Sequence, residues 1–174
     1  SEMSILYESL SRQLEPRLDE LAIQYADYAV WQRAWLDEQM IQRQLEFWKS
    51  EIGINPPVLN LPTDNARPAV QTFNGRTLDI TLPADLSAAL NELSQKQGTT
   101  LFMTLLAAFQ TLLYHYSGQE QILVGSPIAN RTHKETEALI GFFVNTIVLK
   151  ADFYSNPTFT ELMQQVREFS LNAY

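Results

Sequence analysis

From residue 85 onward the apolar side chains change period repeatedly, and this restricts the fold more than any other feature of the sequence. Leu86, Leu90 and Leu93 keep helical spacing, with Asp85 placed to cap the segment and Gly98 to end it. Leu101, Leu105, Phe109, Leu112 and Tyr116 continue the same period, behind Thr99 or Thr100 as the cap and ahead of Gly118. The period is then lost. Ile122-Leu-Val124 is a short β-branched-rich run bounded by Gly125 and Pro127, and Phe142 to Leu149 is a second apolar run. Both predict buried strands. Glu135 to Ile140 predicts a short helical turn between them, ending before Gly141. Thr158-Phe-Thr-Glu161 has the form of a capping box, and Phe159, Leu162, Val166 and Phe169 restore the helical stripe behind it. Helix, helix, strand, turn, strand, helix predicts an α/β fold with helices packed on a sheet.

The first half is helical and then irregular. Ile5, Leu6, Leu10 and Leu14 predict a helix over 4–15, closed by Pro16. Residues 18–35 hold Tyr25, Tyr28, Trp31 and Trp35. Residues 37–52 predict a helix with Ile41, Leu45, Trp48 and Ile52 on one face. Asn55-Pro56-Pro57 breaks the chain, and Leu59 to Gly75 has no period. That length suits a crossing segment better than a turn. Leu78, Ile80 and Leu82 alternate with polar residues, which predicts a half-buried strand. Helical stripes run up to both ends, as expected of a segment cut from something longer, or of one designed with tidy ends.

Composition removes several function classes. Apolar residues make up 45% and charged residues 18% of the 174, so the chain has the means to build a core and is not a disordered tail. Twelve basic and twenty acidic side chains give a net charge of −8, spread along the chain. Such a chain is a poor binder of polyphosphates, and no nucleic-acid partner is expected. There is no cysteine, which excludes disulfides and thiolate chemistry. His115 and His133 are too few and too far apart for a histidine metal site, and no metal is expected. No apolar run reaches the roughly 20 residues of a membrane span. The N-terminus lacks the basic region of a signal peptide, so the cytoplasm is the expected compartment.

No phosphate loop, dinucleotide fingerprint or nucleophile elbow is present. His115 stands near a helix end, where a basic group gains from the helix dipole. His133 lies in the polar stretch Asn130-Arg-Thr-His-Lys134. Two stretches are more suggestive. Phe142-Phe-Val-Asn-Thr-Ile-Val-Leu149 is apolar except for Asn145 and Thr146. On a strand Phe143, Asn145, Ile147 and Leu149 share a face. An amide there needs partners, either backbone or a substrate channel, because an unsatisfied buried polar group costs about 1–3 kcal/mol. Gly125-Ser-Pro-Ile-Ala-Asn-Arg131 leaves a buried strand at its C-terminal end, where ligands of α/β sheets gather. Arg131 either serves such a site or pairs with Glu135 or Glu137.

These residues carry a resemblance. Ile140-Gly-Phe-Phe-Val-Asn-Thr146 resembles the fifth core motif of the condensation domains of nonribosomal peptide synthetases, I/V-G-x-F-V-N-T. Tyr25-Ala-Asp-Tyr-Ala-Val-Trp31 resembles the fourth, Y-x-D-F/Y-A-V-W. On these motifs Tyr25, Asp27, Tyr28, Trp31, Gly141, Phe143 and Val144 are family positions with structural roles. Leu61-Pro-Thr-Asp64 and the stretch Gly125 to Arg131 also resemble the family, so the likeness covers essentially the whole chain. Lys150 stands where the family often has Arg, and Asn65-Ala66 precede Arg67 where an Arg-Pro-type spacing is common.

The resemblance implies a chloramphenicol-acetyltransferase-like α/β (α+β) sandwich, with helices on a mixed sheet. Residues 1–58 would close the first lobe, 59–76 cross over, and 77–174 form much of the second. It implies amide-bond formation between aminoacyl or peptidyl thioesters carried on the phosphopantetheine arms of carrier domains. Carrier domains and neighbouring synthetase domains are then the partners, with no cofactor bound directly. The family's H-H-x-x-x-D-G motif, whose second His assists the acceptor amine, is not in this sequence. No residue here is therefore expected to be the catalytic base, and the chain alone should be silent. Ser126, Asn130, Arg131, Asn145 and Thr146 are the channel candidates. An epimerization or heterocyclization relative is the rival within the fold. A non-catalytic module docking through Trp31, Trp35 and Trp48 is the rival outside it.

Overall fold

Local devices set several of the helix ends among the described residues, and they decide where those elements fall. A computed structural model describes residues 2–66 and 68–174. Its helices are α1 (Glu2–Ser11), α2 (Tyr25–Trp35), α3 (Glu38–Ile52), α4 (Ala84–Lys96), α5 (Leu101–Ser117) and α6 (Phe159–Ala173). Strands β1 (Gln121–Ile128) and β2 (Asn145–Asp152) flank a 3-10 turn at Lys134–Thr136. Contacts divide the chain into two compact units. The first runs to Phe47 and takes in Ala129–Asn145; the second is Trp48–Ile128 with Thr146–Tyr174.

In the first unit α1 stops well short of Pro16. Gln13 adopts a left-handed φ of 55°, Leu14 N–H donates to Ser9 O at 2.8 Å and Gln13 N–H to Leu10 O at 3.1 Å. This pair of bonds is a Schellman closure. Its left-handed residue is a glutamine, so the sequence carries no glycine signal for it. None of α1 is buried, and Leu10 and Leu14 are exposed. Asp27 accepts the Gln24 N–H at 2.8 Å and so closes the N-terminus of α2. Asp37 does the same for α3 through Met40 N–H at 2.7 Å. A small core joins Tyr28 of α2 to Leu139 and Phe143.

The second unit is built around α5. Its buried side chains Met103, Leu106, Ala107 and Leu113 join Ile122 of β1, Ile147, Leu149 and Ala151 of β2, and Leu162, Met163 and Val166 of α6. Thr100 caps α5 by accepting Met103 N–H at 3.2 Å, and Gly118 ends it at φ 66°, a conformation that favours glycine. Ser94 of α4 and Thr104 of α5 share a buried hydroxyl–hydroxyl bond of 2.7 Å. The capping box of α6 forms as expected: Thr158 N–H donates to Glu161 Oε2 at 2.7 Å and Glu161 N–H to Thr158 Oγ1 at 3.3 Å. β1 and β2 form a two-stranded sheet, antiparallel because Phe153 N–H, beyond the end of β2, bonds Glu120 O, just before β1. The α/β class holds, although the sheet seen among the described residues is antiparallel rather than mixed.

Several sequence expectations need correction. Residues 78–82 form no strand, and Leu78 and Ile80 are largely exposed. A strand needs a partner ladder, and none is formed there among the described residues. Asp85 lies inside the first turn of α4; the cap position is Pro83. The stripe Leu101, Leu105, Phe109, Leu112 and Tyr116 is the exposed face of α5, not the packed one. The helix is apolar all round, so period alone could not choose its inner face. The turn expected over 135–140 is confined to Lys134–Thr136. The second strand begins at Asn145 rather than Phe142, because Phe143 is buried in the core of the first unit. The irregular stretch Leu59 to Gly75 is as expected: its described residues form no helix or strand. Gln119 holds part of it, accepting from Asn60 N–H at 2.7 Å and donating to Val58 O at 3.1 Å. Arg67 lies outside the described residues.

Candidate functional site

The two aromatic motifs meet inside the first unit. Capping by Asp27 starts α2 so that Tyr25, Tyr28 and Trp31 follow at helical spacing. Tyr25 Oη donates to Phe142 O at 2.9 Å. Its ring meets Phe143 edge-on at 5.2 Å, and Tyr28 lies 4.8 Å from the same ring. Gly141 runs directly beneath Tyr25: an added Cβ would fall 2.7 Å from Cε2 and 2.9 Å from Cγ of that ring. Glycine is required at 141 by space.

Arg131 completes the cluster. Its guanidinium carbon lies 4.1 Å from the centroid of Phe143, a cation–π distance, and Nη1 donates to the carbonyl of Thr136. Thr136 is buried and its hydroxyl donates to His133 O at 2.6 Å. The ion pair with Glu135 or Glu137 weighed from the sequence is not formed; aromatic and backbone contacts take the guanidinium instead. Asn130, just before it, has a left-handed φ of 52°, which asparagine tolerates better than most residues. Asn145 is exposed rather than buried, a further correction. Alternation along β2 does bury Ile147, Leu149 and Ala151, but Asn145 is its first residue, ahead of where burial begins. Val144 is also half exposed.

Of the remaining channel candidates, Ser126 and Thr146 belong to the second unit. Ser126 is half-buried in β1 and Thr146 is exposed in β2. Thr146 Cγ2 lies 3.4 Å from where a side chain at Gly125 would begin, so the two strands are close there. The five candidates thus divide: Asn130, Arg131 and Asn145 in one unit, Ser126 and Thr146 in the other. Lys150, also in the second unit, donates to Glu51 O at 2.8 Å and stands 3.7 Å from its carboxylate.

Sequence reasoning missed a cleft of about 350 Å³ in the first unit, walled by Tyr28 and Trp31 and rimmed by Asp27, His133 and Glu135. His133 packs edge-on against Trp31 at 4.8 Å, and Trp31 stacks on Trp35 at 5.7 Å. The signal was absent because the α2 wall and the rim at His133 and Glu135 are about a hundred residues apart in sequence. Trp31 and Trp35 are partly exposed, whereas Trp48 packs against the core of the second unit. His115 is exposed in the last turn of α5.

These features define an α/β protein of the chloramphenicol-acetyltransferase type. The chain belongs to the condensation-domain family, whose model matches residues 1–174. It is 57% identical over 173 residues to a linear gramicidin synthase of Brevibacillus parabrevis, a match covering 99% of this chain and 3% of that protein. To gramicidin S synthase 2 of Aneurinibacillus migulanus it is 43% identical over 157 residues, or 90% and 4%. The chain therefore spans only a few per cent of these relatives. Among solved structures, the X-domain from teicoplanin biosynthesis matches with a TM-score of 0.88 at 27% identity, over 98% of this chain and 39% of that one. The complex of the X-domain and OxyB matches at 0.85 and 28%, over 99% and 40%. A four-domain nonribosomal peptide synthetase bound to AMP and glycine matches at 0.82 and 28%, over 99% and 13%. No described helix is long and apolar enough to cross a membrane.

Proposed function

We propose that this chain is part of a condensation domain of a nonribosomal peptide synthetase, whose parent joins carrier-bound aminoacyl or peptidyl thioesters in the cytoplasm. The single observation that carries this is the 57% identity to a linear gramicidin synthase over nearly the whole chain. In the reaction the acceptor amine attacks the donor thioester carbonyl. A C–N bond forms, the C–S bond breaks, the thiol leaves on the donor's phosphopantetheine arm, and the amine proton passes to a base. Holding the two tethered substrates together supplies much of the acceleration, and proton removal the rest. The base belongs to the H-H-x-x-x-D-G motif, which this sequence lacks. Residues 1–58 close the first lobe, 59–76 cross, and 77–174 belong to the second. Within the first unit, Asn130 and Asn145 contribute polar groups to the channel wall.

The test is peptide-bond formation between two loaded carrier domains, with this chain alone and with the parent. Turnover by the parent and none by the chain is expected. Turnover by the chain that vanishes in His115→Ala or His133→Ala would overturn the assignment of the base. No turnover by the parent would overturn the function. In the parent, Asn145→Ala is expected to lower condensation by more than its loss of stability explains.

A second reading, a non-catalytic interaction module, is favoured by one observation: the X-domain, similar in fold, is found in complex with OxyB. A parent that forms no peptide bond but binds a partner through Trp31 and Trp35 would support it.

A further inference from the structure

The cleft of about 350 Å³ in the first unit has no part in the condensation reading, and its lining is chemically one-sided. Tyr28 and Trp31 wall it with rings 5.7 Å apart by centroid and tilted by 37°. His133 meets Trp31 edge-on and props the indole. Asp27 and Glu135 bring two carboxylates to the rim, and no Lys or Arg is among the lining residues. Neither carboxylate is ion-paired among the described residues.

That combination discriminates between guests. Aromatic rings attract a cation placed within about 6 Å of a ring centroid, and the carboxylates add to the attraction. An anion would be repelled. An apolar guest would desolvate the carboxylates without compensation. A metal ion is a poor fit, because among the described residues Asp27, His133 and Glu135 form no group able to hold one. What remains is an organic cation. The volume lies near the lower end of small-molecule sites, which span about 300–1,000 Å³, so the guest is small.

We propose that this cleft binds a small organic ammonium ion, its charged head against Tyr28 and Trp31 and its charge balanced by Asp27 and Glu135. The site goes beyond the condensation reading and does not depend on it: a parent that forms no peptide can still be tested for it.

The experiment measures binding of choline to the parent synthetase by saturation-transfer NMR and calorimetry, beside 3,3-dimethylbutan-1-ol, its neutral carbon isostere. The variants are Trp31→Leu, Trp31→Phe and Glu135→Gln, with exposed Glu92→Gln in the other unit as control. Choline is expected to bind about tenfold more tightly than the isostere, which is the worth of a partly desolvated cation–π contact. Trp31→Leu should weaken choline by about tenfold and Trp31→Phe by less, since indole is the stronger partner of the two rings. Glu135→Gln should weaken it about threefold, with a larger loss at low salt than at high. Glu92→Gln should leave it unchanged. Equal affinity for the isostere would show a merely apolar cleft and would overturn the proposal. So would choline binding that survives both Trp31→Leu and Glu135→Gln unchanged, or no binding of choline by the parent. Should Trp31→Leu fail to fold, Trp31→Phe and Glu135→Gln decide: Glu135 is exposed, and neither change removes a core side chain.

Discussion

The ring of Tyr25 fills the space that a side chain at Gly141 would need, while its hydroxyl donates to Phe142 O. The ring cannot swing aside without giving up that bond and its contact with Phe143. Gly141→Ala is therefore expected to destabilise the chain by about 1–3 kcal/mol, the usual cost of overpacking. In a Tyr25→Ala background the same substitution should cost almost nothing. Urea unfolding of the two single variants and the double variant measures this coupling.

A second expectation concerns pH. The carboxyl of Glu161 is held below the usual carboxylate range, first by the backbone N–H of Thr158 and then by its hydroxyl. A folded-state pKa below the unfolded one, about 4.3 for a glutamate, gives stability that is full above the unfolded value. That stability is lost as pH falls through the folded value. Glu161→Gln should flatten the acid limb of the melting temperature against pH. Identical acid limbs in the two proteins would show that the capping box makes no pH-dependent contribution.

Much of this fold is legible in the sequence wherever a local device carries it. Thr158 with Glu161, Thr100, Gly98 and Gly118 mark helix ends by their own chemistry, and all four fall as expected. The strand of residues 122–124 is also found, within the longer β1. What failed depended on partners distant in the chain. Leu78 and Ile80 alternate like a strand but have no ladder, and the apolar run at 142–149 serves two different cores. Gln13 closes α1 in a conformation its residue type does not advertise. At the candidate site the two motifs were legible separately, but their interlocking through Tyr25, Gly141 and Phe143 was not. Neither was the partner of Arg131, because an acidic neighbour in sequence looks nearer than a ring twelve residues away.

Gln110 provides a third expectation. It is fully buried, and its Nε2 donates to Leu149 O at 3.0 Å, tying α5 to β2. Its Oε1 finds no partner among the described residues. Gln110→Ala leaves the carbonyl unsatisfied and opens a cavity, so a loss of about 2–4 kcal/mol is expected. Gln110→Leu fills the volume and removes the orphaned oxygen, and should lose less. Thermal unfolding of both variants checks the order; equal losses would mean that the cavity contributes little.

The two faces of α5 should respond oppositely to substitution. Leu106 is buried against the core and Leu105, its neighbour in sequence, is 41% exposed. Leu106→Ala is expected to cost about 2–5 kcal/mol and Leu105→Ala less than about 1. The exposed stripe has a second consequence. Leu101, Leu105, Phe109, Leu112 and Tyr116 run along a helix that carries no Asp, Glu, Lys or Arg, so nothing on it opposes association. Contiguous apolar surface of this kind promotes contacts between chains. The isolated chain should therefore self-associate as its concentration rises. Leu105→Lys combined with Phe109→Lys should suppress that association and leave the melting temperature nearly unchanged, because neither side chain belongs to the core. Sedimentation velocity over a concentration series measures the first effect and calorimetry the second. A double variant that unfolds would show that this face is packed after all.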